Sequence, residues 1–291
     1  MPLGEMFANV TSRLPIESLP SHYTSFQVGA TPLSTLPVVL AVLIGYVALV
    51  FSIREVMRDR PPIKLNSLFR AHNAVLTAGS AFLLALVAGE GLSIVWNHGI
   101  FYGLCAFDAL TPKMEFYYII NYYFKYFELI DTVFLALRKK PLTFLHVFHH
   151  SATAFLCWVC LEGRVSGIWI AIMLNLAVHV VMYYYYYAAA SGQKIWWKRY
   201  LTQMQISQFV VDVGFTYYAI AYMILVRFPA LEPIVAALYP ALPNGQKTCA
   251  GSNRAAAFGS GIASSYLFLF LDFYIRTYKK STAGSVRGKR E

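Results

Sequence analysis

Residues 142–161 read LTFLHVFHHSATAFLCWVCL, a stretch of membrane-spanning length that holds three histidines, His146, His149 and His150. A helix needs about 20 apolar residues to cross the hydrocarbon core of a bilayer. A titratable ring placed there is costly, so the first expectation for it is function. Offsets of three and four put all three rings on one face of a helix, where they can meet a common ligand or substrate. His179 joins them from the next apolar run. One imidazole alone would read as a packing residue; four in neighbouring segments read as a site.

Outward from that stretch the whole chain has the same character. Its 291 residues are 58% hydrophobic and 13% charged, with a mean hydropathy of +0.52, whereas a soluble domain carries about a quarter charged residues. Apolar runs of spanning length recur at 33–53, 68–88, 115–137, 142–161, 165–188, 201–226 and 255–275. The fold expected is all-α: a polytopic membrane protein with seven transmembrane helices. Residues 1–34 form an N-terminal segment, 35–278 a single membrane domain and 279–291 a basic tail. The count depends most on the junction Glu162, Gly163 and Arg164, which alone separates two runs. The first run begins too late for a cleavable signal peptide.

A net charge of +10 raises the question of nucleic acid, but the basic residues neither share a soluble face nor accompany a recognisable reader. They alternate instead with the apolar runs. Sixteen fall on one side of the membrane, around Arg58, Lys139, Lys198 and the C-terminus, and six on the other. By the positive-inside rule the richer side is the cytosol, and an odd number of spans leaves the N-terminus outside. The sequon at Asn9 lies on that outer side. So do Cys105 and Cys249, which an oxidising compartment would allow to pair; sequence does not give their separation. Cys157 and Cys160 read as small buried apolar residues. No internal repeat of the kind used by transporters is evident.

The polar residues inside the runs fall at one depth. The third run carries Lys125, Glu128, Asp131 and Thr132, the fifth Asn175, His179, Met182, Tyr183, Tyr185 and Tyr186, and the sixth Thr202, Gln205 and Gln208. Each set lies towards the cytosolic end of its helix and mostly on one face, as does the histidine cluster. Taken singly they have plainer readings. Lys125 and Glu128 can be a one-turn ion pair, the tyrosines an interfacial belt, and Thr202, Gln205 and Gln208 bonds between helices. Those readings leave the shared depth and side unexplained.

Together these sets resemble the four signature boxes of the ELO family of very-long-chain fatty acid elongases: Lys125-x-x-Glu128-x-x-Asp131-Thr132, His146-x-x-His149-His150, His179-x-x-Met182-Tyr183-x-Tyr185-Tyr186 and Thr202-x-x-Gln205-x-x-Gln208. Order and spacing match as well. The run from Lys140 to Leu145 looks like that of fungal members acting on saturated or monounsaturated chains. Family members for polyunsaturated chains typically have Gln where this chain has Pro141. The resemblance implies a 3-ketoacyl-CoA synthase of the endoplasmic reticulum. It would condense a long-chain acyl-CoA with malonyl-CoA without a cofactor, and the reductase and dehydratase of the elongation cycle would be its partners. It also implies six helices around a narrow acyl tunnel, with Lys125, Glu128, Asp131, Thr132, Asn175, Tyr183, Tyr186, Thr202, Gln205 and Gln208 binding substrate. The basic C-terminus, with Lys289 and Arg290, resembles a retrieval signal of the same compartment.

The chemistry has to be within reach of these residues. Cys157 lies two turns beyond His150, which makes it a poor acyl acceptor. A neutral imidazole is a competent one, and an acyl-imidazole would divide the reaction into two easier steps. His149 is the nucleophile expected, with His179 orienting it or stabilising the oxyanion and His146 and His150 carrying protons or orienting it. Arg138, Lys139, Lys140, Lys194, Lys198 and Arg199 ring the expected mouth, as CoA phosphates would require, although solvated topogenic charges account for most of them equally well. Deeper down, the face of Gln208 continues through Phe215, Ala219 and Val226, a stripe that either lines the acyl tunnel or packs helices.

Two other classes compete. Membrane desaturases and hydroxylases hold two irons on similar histidine clusters, but they resemble one another in using about eight histidines; this chain has seven, with His22 and His98 on the other side. No metal is therefore expected. A transporter lined by the same faces would call for repeats or broken helices.

Overall fold

The computed structural model describes residues 20–279; Asn9 and most of the basic tail lie outside them. Among the described residues every regular element is helical. The principal helices are α1 (Leu36–Val56), α2 (Asn66–His98), α3 (Pro112–Glu128), α4 (Ile130–Leu137), α5 (Phe144–Glu162), α6 (Trp169–Ala190), α7 (Lys198–Leu225) and α8 (Asn253–Tyr274). Six of these segments are long and apolar enough to cross a membrane: α1, α2, α5, α6 with the turn before it, α7, and α8 with the turn after it.

That number differs from the seven expected, and the difference lies in the run 115–137. It forms two helices, α3 of 17 residues and α4 of 8, because Leu129 and Thr132 take tight turns from Tyr126 and Leu129 in place of the next α-helical bonds. The same stretch carries Glu115, Lys125, Glu128 and Asp131, so it has too many charges as well as a break. The second run errs the other way. It is expected at 68–88, but α2 continues to His98, through Gly91 and Glu90.

Local chemistry starts and stops the helices that bear the site. Thr111 caps α3, its hydroxyl accepting from Met114 N at 3.1 Å, with Pro112 at the first helical position. Thr143 accepts from His146 N at 3.3 Å and so opens α5 three residues before the first clustered histidine. Satisfying the free N–H groups of a first turn in this way fixes where a helix begins, and hence which residues share its face. The doubtful junction is a real break: Arg164 adopts φ +51°, and Gly163 sits so close to Ser252 that a side chain there would meet its hydroxyl. α5 and α6 are separate helices.

α2 and α6 make the most extensive helix pair. Trp169, 2% exposed, donates from its indole to Gly103 O at 2.9 Å, satisfying a polar atom that would otherwise be orphaned in the core. The two ends of the bundle differ. At one, Lys139 Nζ donates to Arg58 O (2.8 Å) and Arg60 O (3.1 Å), and Arg199 donates to Tyr274 Oη; this is the basic end. At the other, Cys105 and Cys249 are joined by a disulfide, and Gln246 Nε2 donates to Cys105 O.

Candidate active site

Lys125, on the last turn of α3, is 2% exposed. Its ammonium donates to Glu128 Oε1 at 2.8 Å and to Asn175 Oδ1, on α6, at 2.7 Å. That second bond orients the Asn175 amide, leaving Nδ2 to donate to His179 Nε2 at 3.2 Å. The proton of a neutral His179 then resides on Nδ1, 3.1 Å from Glu128 Oε1 but off the line that a hydrogen bond requires. A buried cation, a carboxylate, an amide and an imidazole thus hold one another across two helices. Isolated, each would be expensive to bury.

A second polar group lies behind the first. Asp131 accepts from Tyr183 Oη at 2.9 Å and pairs with His72 Nε2 at 2.8 Å, and Tyr46 donates to Thr132 at 2.6 Å. These bonds tie the short α4 to α1, α2 and α6. His72 was missed in the sequence, although it lies in the second apolar run and satisfies the same test of a costly ring in hydrocarbon.

The histidines of α5 divide. The rings of His146 and His150 are 4.4 Å apart, and neither lines the cavity described below. His149 does. Its ring is 4.7 Å from that of Tyr266 on α8, and its Nδ1 has no partner. Tyr266 donates to the carbonyl of His149 at 3.1 Å and shares a 2.8 Å bond with Thr153. Tyr266 was another residue that sequence reasoning missed, since nothing in the seventh run singles out one tyrosine. His179, Lys125 and Glu128 lie within electrostatic reach of the His149 ring.

The cavity has a volume of about 190 Å³. At one end stand Lys125, His149, Asn175 and Gln208; its wall continues through Phe215, Ala219 and Met223, and its far end meets Leu104, Cys249 and Ser252 at the disulfide. It is a passage along the bundle, polar at the top and apolar below. Of the residues singled out from sequence, Lys125, His149, Asn175, Gln208, Phe215, Ala219 and Cys249 line it. Glu128, Asp131, Thr132, Tyr183, Thr202, His150 and His179 are buried beside it, and Tyr186 is exposed. Thr202 pairs with Tyr278 at 3.4 Å and Gln205 contacts Met182 Sδ at 3.6 Å, bonds between neighbouring segments. Val226 is off the passage, because α7 ends at Leu225 and the chain turns there. Cys157 lines the passage, buried, and accepts from Asn121 at 3.6 Å. Among the described residues no three His, Cys, Asp or Glu side chains are placed to share a metal ion.

A polytopic helical protein with a histidine and a fixed cation at the head of an apolar passage has the make-up of a membrane enzyme. The sequence matches the ELO (GNS1/SUR4) family over residues 31–285. It is 41% identical over 284 residues to the Schizosaccharomyces pombe protein named "Putative fatty acid elongase 1", covering 97% of this chain and 82% of that one. It is 30% identical over 254 residues to fatty acid elongase A of Dictyostelium discoideum, covering 87% of each. Very long chain fatty acid elongase 2 of Mus musculus is 29% identical over 251 residues, covering 81% of this chain and 74% of its own. The chain belongs to the ELO (GNS1/SUR4) family of fatty acid elongases, enzymes of the 3-ketoacyl-CoA synthase class.

Proposed function

We propose that this elongase condenses a long-chain acyl-CoA with malonyl-CoA through an acyl-enzyme on His149. The imidazole attacks the thioester carbonyl, a C–N bond forms, the C–S bond breaks, and CoA leaves with a proton. Malonyl-CoA then loses carbon dioxide, the carbanion left at its C2 attacks the acyl carbonyl, and the C–N bond breaks, the departing ring nitrogen taking up a proton from water to return the imidazole. The single observation that carries the reading is that His149 alone of its cluster faces the passage with Nδ1 unpaired. Lys125, fixed between Glu128 and Asn175, supplies positive charge beside the place where the oxyanion and the carbanion develop. His179, His146 and His150 then act by orienting and by charge, behind the reacting atoms. The assay is release of labelled carbon dioxide from malonyl-CoA by the purified protein. The expected result is release that depends on an added acyl-CoA; release without one, or none with a full ladder of chain lengths, would count against the reading.

The same proposal includes a single membrane domain of seven spans in the endoplasmic reticulum, with α3 and α4 together making the third crossing, the basic end cytosolic and the N-terminus lumenal. CoA enters from the basic end, and the product passes to a reductase and then a dehydratase. Arg138, Lys139 and Arg199 are already engaged with neighbouring groups, which leaves Lys140, Lys194 and Lys198 as the freer cations for CoA phosphates. A tag at the C-terminus is expected to be digested by protease added to sealed microsomes. Protection of that tag would reverse the sidedness of the whole site.

A further inference from the structure

Below the reacting end the passage is walled by residues such as Leu156, Phe209, Phe215, Ala219, Ile220 and Met223, as an alkyl chain requires. Asp212 does not fit that purpose. It lines the same passage, is 8% exposed, and has only one oxygen occupied. Oδ2 accepts from Gln208 Nε2 at 3.2 Å, whereas Oδ1 is buried without a partner. An unpaired buried acceptor of this kind is costly, and more so if it is charged. Asn121 on α3 repeats the pattern. It lines the passage, is 2% exposed, donates its amide to Cys157, and leaves Oδ1 unpaired. Thr216 follows Asp212 by one turn and also lines the passage, so Gln208, Asp212 and Thr216 form a polar line on a wall that is otherwise apolar.

The two unpaired oxygens are both acceptors, and what they lack is a donor. A plain alkyl chain has none; a hydroxyl group has one. We infer that Asp212 is a specificity-determining residue for acyl chains that bear a hydroxyl group, which it bonds inside the tunnel. The inference rests on the elongase reading of the passage and adds a class of substrate to it. Its depth follows from the helix. Gln208 stands with His149 at the reacting end, and Asp212 is four residues on, about 6 Å at 1.5 Å per residue, or roughly five carbons of an extended chain. Thr216 lies a further turn down, near the tenth carbon by the same estimate.

The experiment uses the full-length protein, malonyl-CoA, and a set of acyl-CoAs of one length in which a single hydroxyl is moved from carbon 3 to carbon 12. Each is measured as its kcat/KM relative to the unsubstituted parent. The ratio should peak near carbons five and six, about tenfold above the positions on either side. Asp212→Leu should flatten the profile. Asp212→Asn, which keeps the shape and an acceptor, should retain a reduced peak and guards against a Leu variant that does not fold. A wild-type profile with no peak would overturn the inference and leave bound water as the partner of Asp212. A peak that survives in both variants would overturn the role of this residue. Failure of the unsubstituted parent to elongate would be a failure of the elongase reading instead.

Discussion

Purified protein mixed with a long-chain acyl-CoA, and with no malonyl-CoA, is expected to release up to one equivalent of free CoA and to hold the acyl group on the peptide that contains His149. Both signals should disappear in His149→Ala, and overall condensation should fall by three orders of magnitude or more, the scale of loss when a nucleophile is removed. The geometry that motivates this is specific. Of the three histidines on α5, His146 and His150 pack against each other with their rings 4.4 Å apart and tilted, while His149 lines the passage near Lys125 and Gln208. The competing nucleophile is Cys157, which lines the same passage eight residues further on. Eight residues are about 12 Å along a helix, so Cys157 lies well below the histidine, and its thiol already accepts from the Asn121 amide at 3.6 Å. Cys157→Ser should therefore keep both the adduct and the early CoA. CoA release that strictly requires malonyl-CoA would exclude the acyl-enzyme and favour direct attack on the thioester.

Much of this site is legible in the sequence, because membrane burial makes polar residues expensive and so makes them conspicuous. The clustering of Lys125, Glu128, Asn175 and His179 follows from that argument alone, and they do meet. The ambiguity is in their role. Periodicity places a residue on a face but does not say which of two inward neighbours reaches the passage. Asp131 and Tyr183 share the depth of the site, yet they bond each other and His72 behind it. His149 and His150 are adjacent in sequence and differ by about 100° around the helix, enough to put one on the passage and one in the packing. Tyr266 and Asp212 escaped notice for different reasons. A tyrosine in an apolar run is ordinary, and Asp212 lies in a helix already credited with its polar face at Gln208. The seven-span count, in turn, rests on apolar run length, and a run can be long enough without forming one helix. The turn at Leu129 leaves no signal in hydropathy.

The length of the acyl chain is set by what blocks the passage, and the largest expected change in product comes from Ala219→Phe. Ala219 lines the passage eleven residues beyond Gln208, a depth of about 16 Å, or roughly 13 carbons of an extended chain. Its side chain is the smallest of those that line the passage between Phe215 and Met223, so a phenyl ring there fills space the chain would use. Products should stop at a shorter length while the rate for short acyl-CoAs is preserved. Met223→Trp places the obstruction one turn deeper, about 6 Å further. It should stop the chain about five carbons later, which is two rounds of elongation or slightly more. Val226→Ala should leave the distribution unchanged, because Val226 lies past the end of α7 and off the passage. The measurement is the chain-length distribution of products from a ladder of acyl-CoAs, read together with total turnover. If Ala219→Phe lowers turnover for every chain length alike and the distribution stays the same, this stripe of α7 packs the bundle and something else measures the chain.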